Sequence, residues 1–272
     1  MAAKKEILTA GILVIGNEIL DGIVLETNAN WMELRLVALG AYMRRNAVVR
    51  DDMEEIGKGL RFLREVCDII ITSGGLGPTH DDITLKSIAK AIGREIVEDQ
   101  NAIEIVKRQY KILFEKKIVA SSDFTETRKK MAQIPEGSIA LDNRVGGAPG
   151  VMIQDGGTTI FCLPGVPAEL KFIFEGSVIP WIKENVVQKF YEELVEFELK
   201  DESVFSPAID SVMKKIPNVY IKSLPKPYGT SKGIRVWVSA RGNDEKTLEK
   251  QVKEAISSLE QVTGTSSIPA EK

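Results

Sequence analysis

The sequence predicts an α/β fold in which a three-layer domain with a parallel sheet precedes a smaller α+β domain. Apolar runs of strand length alternate with stripes of helical spacing through the first two thirds of the chain. Two of these strands lead through glycine and proline into a helix. Around Trp181 the order changes to strand, helix, strand, strand, helix. We therefore expect domains at residues 1–183 and 184–262, and a disordered tail at 263–272.

Composition and charge are those of an ordinary globular protein. The 272 residues are 43% hydrophobic and 28% charged, which supplies ample core material. A net charge of −3 gives no overall attraction to nucleic acid or to an anionic membrane. Cys67 and Cys162 lie in apolar runs, which favours buried reduced thiols and a cytoplasmic location. No apolar run is long enough to span a bilayer, and the N-terminal one is typical of a strand rather than a signal peptide.

The first predicted strand, residues 6–15, ends in a polar loop. Gly16, Asn17 and Glu18 open this loop at the carboxyl end of the strand. The loop is either one wall of a pocket or a solvated connection, and this stretch alone favours neither.

Polar residues border the next predicted helix and strand, and they are either helix caps or members of a binding site. Asn28 is a candidate N-cap of a helix. A second strand at 41–49 is followed by Asp51 and Asp52, which either cap the next helix or, for Asp51, face Asp82 across neighbouring strand ends. Spacing in the sequence leaves both interpretations open.

The most informative stretch is 70–84, where a buried strand ends in a glycine-rich turn before a helix. The glycines are Gly74, Gly75 and Gly77. They let the backbone approach a phosphate and present its N–H groups. Asp81 and Asp82 follow, and two carboxylates beside a phosphate repel it unless a cation such as Mg²⁺ lies between them. A capping Asp82 and a simple tight turn are the structural alternative, but both features in one loop favour a binding site.

The rest of the first domain contains a second junction of this kind. A helix is predicted at 99–115, and the basic cluster that ends at Lys130 is typical of a solvated helix face unless one member reaches the glycine loop. A turn-rich segment ending at Gly150 precedes a predicted hairpin. The second hairpin strand leads through Gly165 and Pro167 into a helix, whose N-terminus is available to a phosphate.

The last third of the chain predicts a small α+β domain after a polar linker at 184–191. Its predicted elements are a strand at 192–200, a helix at 204–216, strands at 218–223 and 233–240, and a helix at 245–262. A lysine-containing loop at 224–233 joins the two middle strands.

Five segments together resemble the N-terminal region of the competence/damage-inducible CinA family, which is related to the molybdopterin-binding domain of molybdenum-cofactor (MoCF) biosynthesis. The segments are GNEILDG, TSGGLGPTHDDIT, KMAQIPEG, GGAPG and LPGVPAEL, in this order within residues 6–180. The small domain resembles the KH-like domain that follows in CinA proteins. The resemblance does not reach the C-terminal amidase domain of full-length CinA proteins, which deamidates nicotinamide mononucleotide, and we expect that domain to be lacking.

This resemblance implies a metal-dependent hydrolase of nucleotide diphosphates. CinA N-terminal domains are associated with ADP-ribose pyrophosphatase activity, and a related domain of eukaryotic FAD synthases with FAD hydrolysis. Molybdopterin adenylyltransferases carry a GGTG loop followed by Arg-Asp and Thr, and residues 74–77, Asp82 and Thr84 fall on these positions. Leu76 and Asp81 depart from that pattern, which favours the CinA-like activity over pterin binding.

The resemblance also implies roles for particular residues. We expect Asp51, Asp82 and Lys130 to be catalytic, and Asp51, Asp81 and Asp82 to hold a divalent metal such as Mg²⁺. His80, the only histidine, is expected to be a loop contact. The expected substrate-binding residues are Gly16, Asn17, Glu18, Asn28, Ser73, Gly74, Gly75, Leu76, Gly77, His80, Gly150, Gly165 and Pro167.

Two alternative functions can be set against this one. A molybdopterin- or pterin-binding adenylyltransferase of molybdenum-cofactor biosynthesis shares the fold and the acids. An RNA-binding KH-like tail on a scaffold requires a GXXG loop between helices, and residues 184–262 contain only Gly229–Gly233, one residue too long and between strands. We therefore expect a nucleotide diphosphate as partner, no sequence-specific nucleic acid, no membrane, and a homo-oligomer, either dimer or trimer.

Overall fold

The computed structural model describes residues 5–199, 202–224 and 233–270. It divides the chain into two compact units. The first consists of Met1–Val37 and Ala41–Val186, and the second of Ala38–Gly40 and Val187–Lys272.

Within the described residues, the first unit contains eight strands. They are β1 (Thr9–Ile15), β2 (Tyr42–Val49), β3 (Ile69–Ser73), β4 (Ile96–Glu98), β5 (Gln133–Pro135), β6 (Ile139–Leu141), β7 (Gly150–Asp155) and β8 (Thr158–Leu163). Six of them form one sheet in the order β2-β1-β3-β8-β7-β6, and β4 pairs with β5 separately. The predicted α/β fold is confirmed, although the sheet is mixed rather than wholly parallel.

Four neighbouring strands of this sheet determine where a site can lie. β2, β1, β3 and β8 run parallel, so their carboxyl ends meet at one edge. β7 is antiparallel to β8, and β6 is antiparallel to β7. Every residue of β3 and β8 is buried, as apolar runs predict for strands covered on both faces.

Helices cover both faces of the sheet. They are α1 (Asn17–Leu20), α2 (Asn28–Ala38), α3 (Met53–Arg64), α4 (Thr84–Ile92), α5 (Gln100–Glu115), α6 (Glu126–Lys130), α7 (Pro167–Ile173) and α8 (Ile179–Asn185), with a π-helical segment (Phe174–Val178) between the last two. Side chains of α3, α4 and α5 share a buried cluster with Leu13 and Ile70. On the opposite face, Phe161 of β8 packs edge-on against Trp181 of α8, and Trp31 of α2 against Phe174. These contacts produce the three layers.

In the part of the chain that the structure describes, the second unit is a four-stranded antiparallel sheet with two helices. Its elements are β9 (Lys189–Phe197), α9 (Glu202–Lys215), β10 (Val219–Leu224), β11 (Ile234–Gly242), α10 (Glu245–Thr263) and β12 (Ser267–Pro269). The strand order is β10-β11-β9-β12. Phe197, Phe205 and Leu259 are among the residues of its buried core.

Two sequence expectations for this unit are wrong. The tail is not disordered throughout, because β12 pairs with β9 and the backbone N–H of Ser267 donates to Glu260 Oε1 at 2.8 Å. β9 begins at Lys189, inside the segment predicted as a linker. Most of the loop considered for a GXXG motif, 225–232, lies outside the described residues.

Candidate functional site

A cavity of about 470 Å³ lies at the edge where the four parallel strands end. Its walls are the loops that follow β1, β2, β3 and β8, together with residues of α2 and α5. Most of the predicted metal and substrate-binding residues line it: Gly16, Glu18, Asn28, Asp51, Ser73, Gly74, Gly75, Leu76, Gly77, Asp81, Asp82 and Gly165. The topology thus brings together residues that the sequence separates widely.

Besides His80, three predicted binding residues do not line this cavity. The backbone N–H of Asn17 donates to Asp51 Oδ2 at 2.8 Å, so Asn17 acts on the cavity through that carboxylate. Gly150 begins β7, where a Cβ would lie 2.9 Å from Cγ2 of Ile173, and packing alone accounts for the glycine. Pro167 is the first residue of α7 and is exposed.

His80 and Lys130 lie on the other side of the glycine loop. Both line a second cavity of about 320 Å³, which also contains Lys86 and shares Asp82 with the first. The Lys130 ammonium donates to the backbone oxygen of Thr79. Lys130 therefore reaches the loop, as one interpretation of the basic cluster required, but it does not line the first cavity.

Two positions of the glycine loop, residues 74–77, have backbone angles and close contacts that exclude a residue with a side chain. Gly74 has φ +110°, and a Cβ there would lie 2.2 Å from the Ile15 oxygen. Gly75 has φ +69°, and its Cβ would lie 2.1 Å from Oγ1 of Thr84. Thr84 Oγ1 in turn donates to the Gly74 oxygen at 2.9 Å. Both glycines are thus required by the loop's own fold, independently of any ligand.

Asp82 does not cap the helix that follows it. The N-cap of α4 is Ile83, which makes no side-chain cap. Asp82 Oδ2 instead accepts from the backbone N–H of Thr79 at 2.9 Å and from its Oγ1 at 2.6 Å. Thr79 Oγ1 also bonds Asp81, and this hydrogen bond is the main reason that the pKa of Asp81 is lowered. The capping interpretation of Asp82 is therefore wrong.

The two aspartates after β2 have different roles. Asp52 caps α3 by accepting from the backbone N–H groups of Glu54 and Glu55 at 2.9 and 3.0 Å. Asp51 lines the cavity, and burial raises the pKa of its carboxyl. The hydrogen bond from the Asn17 N–H lowers this pKa, and the nearby charges of Glu18, Asp81 and Asp82 raise it.

Asn28 is a buried cavity residue rather than a helix cap. Glu26 accepts from the backbone N–H of Asn28 at 2.8 Å and so takes the capping role at the start of α2. The Asn28 side chain is 7% exposed, and its Nδ2 donates to Ser73 Oγ at 3.1 Å and to the Gly165 oxygen at 2.8 Å. Its Oδ1 is buried with no hydrogen-bond partner in the described structure. An unpaired buried acceptor beside a cavity is a place for a ligand or water donor.

Sequence reasoning missed several residues of the cavity wall, including Glu26, Tyr110 and Glu169. Burial raises the pKa of Glu169, although a hydrogen bond from Asn143 Nδ2 to its Oε2, at 2.7 Å, works in the opposite direction. The consecutive glycines at 146–147, which face this wall, were the one available signal.

The cavity wall is strongly acidic. Six carboxylates line it: Glu18, Glu26, Asp51, Asp81, Asp82 and Glu169. None of its described lining residues is a lysine, arginine or histidine. Within the described ranges, no group of three or more His, Cys, Asp or Glu side chains is arranged to hold a metal ion.

The family model described as a probable molybdopterin binding domain matches residues 11–184. The chain belongs to this family. A protein of Pyrococcus furiosus is 38% identical over 245 residues, covering 90% of this chain and 94% of the relative. A Sulfurisphaera tokodaii protein is 37% identical over 259 residues, covering 94% and 95%. The two relatives therefore extend beyond the family match into the second unit.

A solved structure supports the CinA resemblance. The CinA protein of Thermoplasma acidophilum, described as having unknown function, has a TM-score of 0.59 and is 37% identical. The match covers 65% of this chain and 99% of that chain. The KH-like character expected of the second unit stays a prediction, since the family match ends at residue 184.

Both cysteines are free and buried, as expected. Burial raises the pKa of Cys162 to about 12 and that of Cys67 to about 11, so neither is a ready thiolate nucleophile at neutral pH. None of the described helices is both long and apolar enough to cross a membrane.

Proposed function

We propose that the chain is a metal-dependent hydrolase of nucleotide diphosphates such as ADP-ribose or FAD. The observation that carries this proposal is the placement of Asp51 and Asp82 in one cavity, after the two strands that flank β1. The glycine loop, residues 74–77, lines the same cavity. Cleavage of a diphosphate requires that its negative charge be stabilised, and this arrangement supplies the groups to do so.

The acidic cavity wall favours a bound cation in the proposed reaction. A diphosphate carries negative charge, and six carboxylates with no cationic side chain in the described lining would repel it. Mg²⁺ is usually held by one or two carboxylates, with waters and substrate phosphate oxygens completing its octahedron. Asp51 and Asp82 fit that pattern, with Asp81 as a further candidate, and no preformed cluster of three is needed. The metal would neutralise charge on the phosphate oxygens.

The remaining groups of the chain would bind and orient the ligand. Backbone N–H groups of residues 75–77 would approach the phosphates, whereas that of Gly74 already donates to the Leu163 oxygen at 3.0 Å. Asn28 Oδ1, buried and unpaired in the described structure, would accept from a ligand hydroxyl. Lys130 would position the loop through the Thr79 oxygen, rather than contact phosphate from inside the cavity.

The test is a hydrolysis assay with divalent metal. ADP-ribose, FAD and related nucleotide diphosphates are incubated with Mg²⁺ or Mn²⁺, and release of AMP is measured with and without EDTA. Metal-dependent AMP release from at least one substrate is the expected result. Absence of AMP from the whole panel would reject the proposal.

A second candidate function is molybdopterin binding with adenylyl transfer, which the family match favours. The two functions share the cavity and the acids, so the fold cannot separate them. Calorimetric titration with ATP and with ADP-ribose, followed by a search for an adenylylated pterin, separates them chemically. Leu76 and Asp81, which differ from the adenylyltransferase loop pattern, favour the hydrolase.

Expectations about partners and location remain proposals as well. We propose a cytoplasmic homo-oligomer, dimer or trimer, without sequence-specific affinity for nucleic acid or for membranes. Light scattering of the purified protein would measure the oligomeric state. Retention of a short single-stranded RNA at physiological salt would contradict the expectation about nucleic acid.

A further inference from the structure

Two consecutive glycines at one end of the cavity pack against an aromatic ring and a carboxylate. A Cβ at Gly147 would lie 2.8 Å from Cε2 of Tyr110, and a Cβ at Gly146 would lie 2.1 Å from Oε2 of Glu169. Tyr110, Gly147 and Glu169 all line the cavity. We name these four residues the Tyr110–Glu169 corner. The proposed hydrolysis uses neither of the two side chains.

The Tyr110 ring is held from behind. The guanidinium carbon of Arg128 lies 3.8 Å from the ring centroid, and its Nη1 donates to the Asp123 oxygen at 2.6 Å. Because Arg128 lies over one face of the ring and Gly147 lies close to its Cε2, the ring presents a fixed surface where it lines the cavity. Such surfaces bind nucleobases by stacking, whatever the base.

Glu169 has one oxygen engaged and one available. Oε2 accepts from Asn143 Nδ2 at 2.7 Å, while no residue in the described part of the chain donates to Oε1. The orientation of Asn143 is fixed, because its Oδ1 accepts from the N–H groups of Val145 and Gly146 and its Nδ2 also donates to the Ala148 oxygen. Asn143 is itself fully buried. A half-buried carboxylate oxygen held in this way is an acceptor for a ligand N–H.

We infer that the Tyr110–Glu169 corner binds the heterocycle of the ligand and selects for an exocyclic amino group. Tyr110 stacks on the ring, and Glu169 Oε1 accepts a hydrogen bond from the amino group. Adenine, guanine and pterins carry such a group, and hypoxanthine does not. The inference rests on the proposed function for the diphosphate end of the ligand and adds the class of ring at its other end.

The size and position of the cavity agree with this assignment. Asp51 and Asp82 line the same cavity as Tyr110 and Glu169, so one ligand in that cavity can contact both pairs. A volume of about 470 Å³ falls in the range of roughly 300–1,000 Å³ typical of small-molecule sites. The carboxylates near the glycine loop would hold the metal that binds the phosphates, and the corner would bind the ring.

The first experiment compares ADP with IDP, in which an oxygen replaces the amino group of the base. Calorimetric titration of the full chain in Mg²⁺ should give a dissociation constant about 10- to 100-fold lower for ADP, as expected for loss of a hydrogen bond to a charged acceptor. Equal affinities would overturn the inference.

Glu169→Gln provides the sharper test. The fixed Asn143 amide needs an acceptor, so the oxygen of the introduced amide turns toward it and the NH₂ group turns toward the ligand. The corner then offers a donor in place of an acceptor. Affinity for ADP should fall and affinity for IDP should rise, which reverses the preference. A variant that folds and still prefers ADP as the wild type does would contradict the inference.

Variants at Tyr110 test the stacking part without altering the carboxylate. Tyr110→Phe keeps the ring and should bind ADP as the wild type does, while Tyr110→Leu should weaken ADP and IDP alike by about tenfold or more. Glu115→Gln is a matched control on the same helix, because Glu115 is exposed and the change removes an equal charge away from the corner. Unchanged binding by Tyr110→Leu would show that the ring is not stacked on Tyr110.

Further ligands identify the source of the amino group. GDP and a pterin monophosphate are titrated beside ADP, and preference for any one of them over IDP supports the inference and names the ring. These binding results are independent of turnover. Metal-dependent hydrolysis with equal affinity for ADP and IDP would contradict this inference and leave the proposed reaction intact. Preference for ADP over IDP without any hydrolysis would contradict only the proposed reaction.

Discussion

Thr79 links the two acids of the loop: its backbone N–H donates to Asp82 Oδ2 at 2.9 Å, and its hydroxyl lies within hydrogen-bonding distance of both Asp82 Oδ2, at 2.6 Å, and Asp81. Asp82 is therefore held in the cavity wall by the loop itself and has no part in starting α4. A turn of four residues, 79–82, therefore fixes the position of this carboxylate, and both partners of the hydrogen bonds belong to that turn. This relationship sets the first two predictions.

Asp82→Asn should reduce hydrolysis by about a hundredfold or more, as for loss of a major electrostatic contributor. The amide oxygen can still accept from Thr79, so the melting temperature should move by only about 2–4 °C, equivalent to about 1 kcal/mol. Rates at saturating Mg²⁺ and a thermal melt measure the two effects. Asp52→Asn is the control, because Asp52 caps α3 and Asn caps equally well. Full activity of the Asp82 variant would reject its assignment as a metal ligand.

Thr79→Val should lower the rate by about tenfold, since the two adjacent carboxylates lose a shared donor while the backbone N–H to Asp82 remains. Thr79→Ser keeps the hydroxyl and should retain most of the activity. Initial rates of the two variants, compared at equal metal concentration, give the answer. A Val variant as active as the Ser variant would show that the hydroxyl does not position the acids.

Gly75→Ala should destabilise the protein by about 2–4 kcal/mol, because φ of +69° strains an alanine and its Cβ would meet Thr84 Oγ1 at 2.1 Å. Gly156→Ala is the matched control. Gly156 has φ +58° with nothing within 4 Å of its Cβ, so only the backbone strain of about 1 kcal/mol remains. Thermal melts of both variants should differ by several degrees. Equal losses would mean that the contact with Thr84 relaxes freely.

Glu169→Gln should also change how stability depends on pH. Burial raises the pKa of Glu169 in the folded state, so its charged form destabilises the fold. Below the ordinary Glu pKa both states are protonated and this cost vanishes; it grows as the pH rises from the ordinary pKa to the raised one. The variant should therefore melt above the wild type at pH 7, and the gap should close toward about pH 4. A gap independent of pH would show that the charge of Glu169 is not responsible.

The strand ends of the site were predictable because apolar runs mark buried strands, and parallel strands bring their carboxyl ends to one edge. The glycine loop at residue 74 could be assigned to a binding site on that ground, whereas residues 16 and 51 were added only through the family resemblance. The sequence could not show whether Asp51 or Asp52 caps α3, because both residues lie close enough to the start of that helix. The structure assigns the cap to Asp52 and leaves Asp51 to the cavity.

Other features depend on contacts that no local pattern reports. Tyr110 and Glu169 were missed because they meet the same pair of glycines from distant helices, and an aromatic on a helix face is usually a core residue. The tail was predicted disordered because a three-residue strand of Ser, Ile and Pro has little signal of its own. It forms because the edge of β9 offers backbone partners.

The pairing of β3 with β8 determines when the cavity can come into existence. Ile69 lies opposite Thr159, ninety residues later in the chain. These two strands can therefore pair only after the intervening segment has been synthesised and has folded back. Contacts of such long range carry a large loop-closure cost and form slowly. The acids after β1, β2 and β3 can assemble early, but the wall contributed by Gly165 and Glu169 arrives only with β8. Ligand binding during refolding should therefore lag behind the burial of the first three strands, and a nascent chain that has not yet produced β8 has no site to occupy.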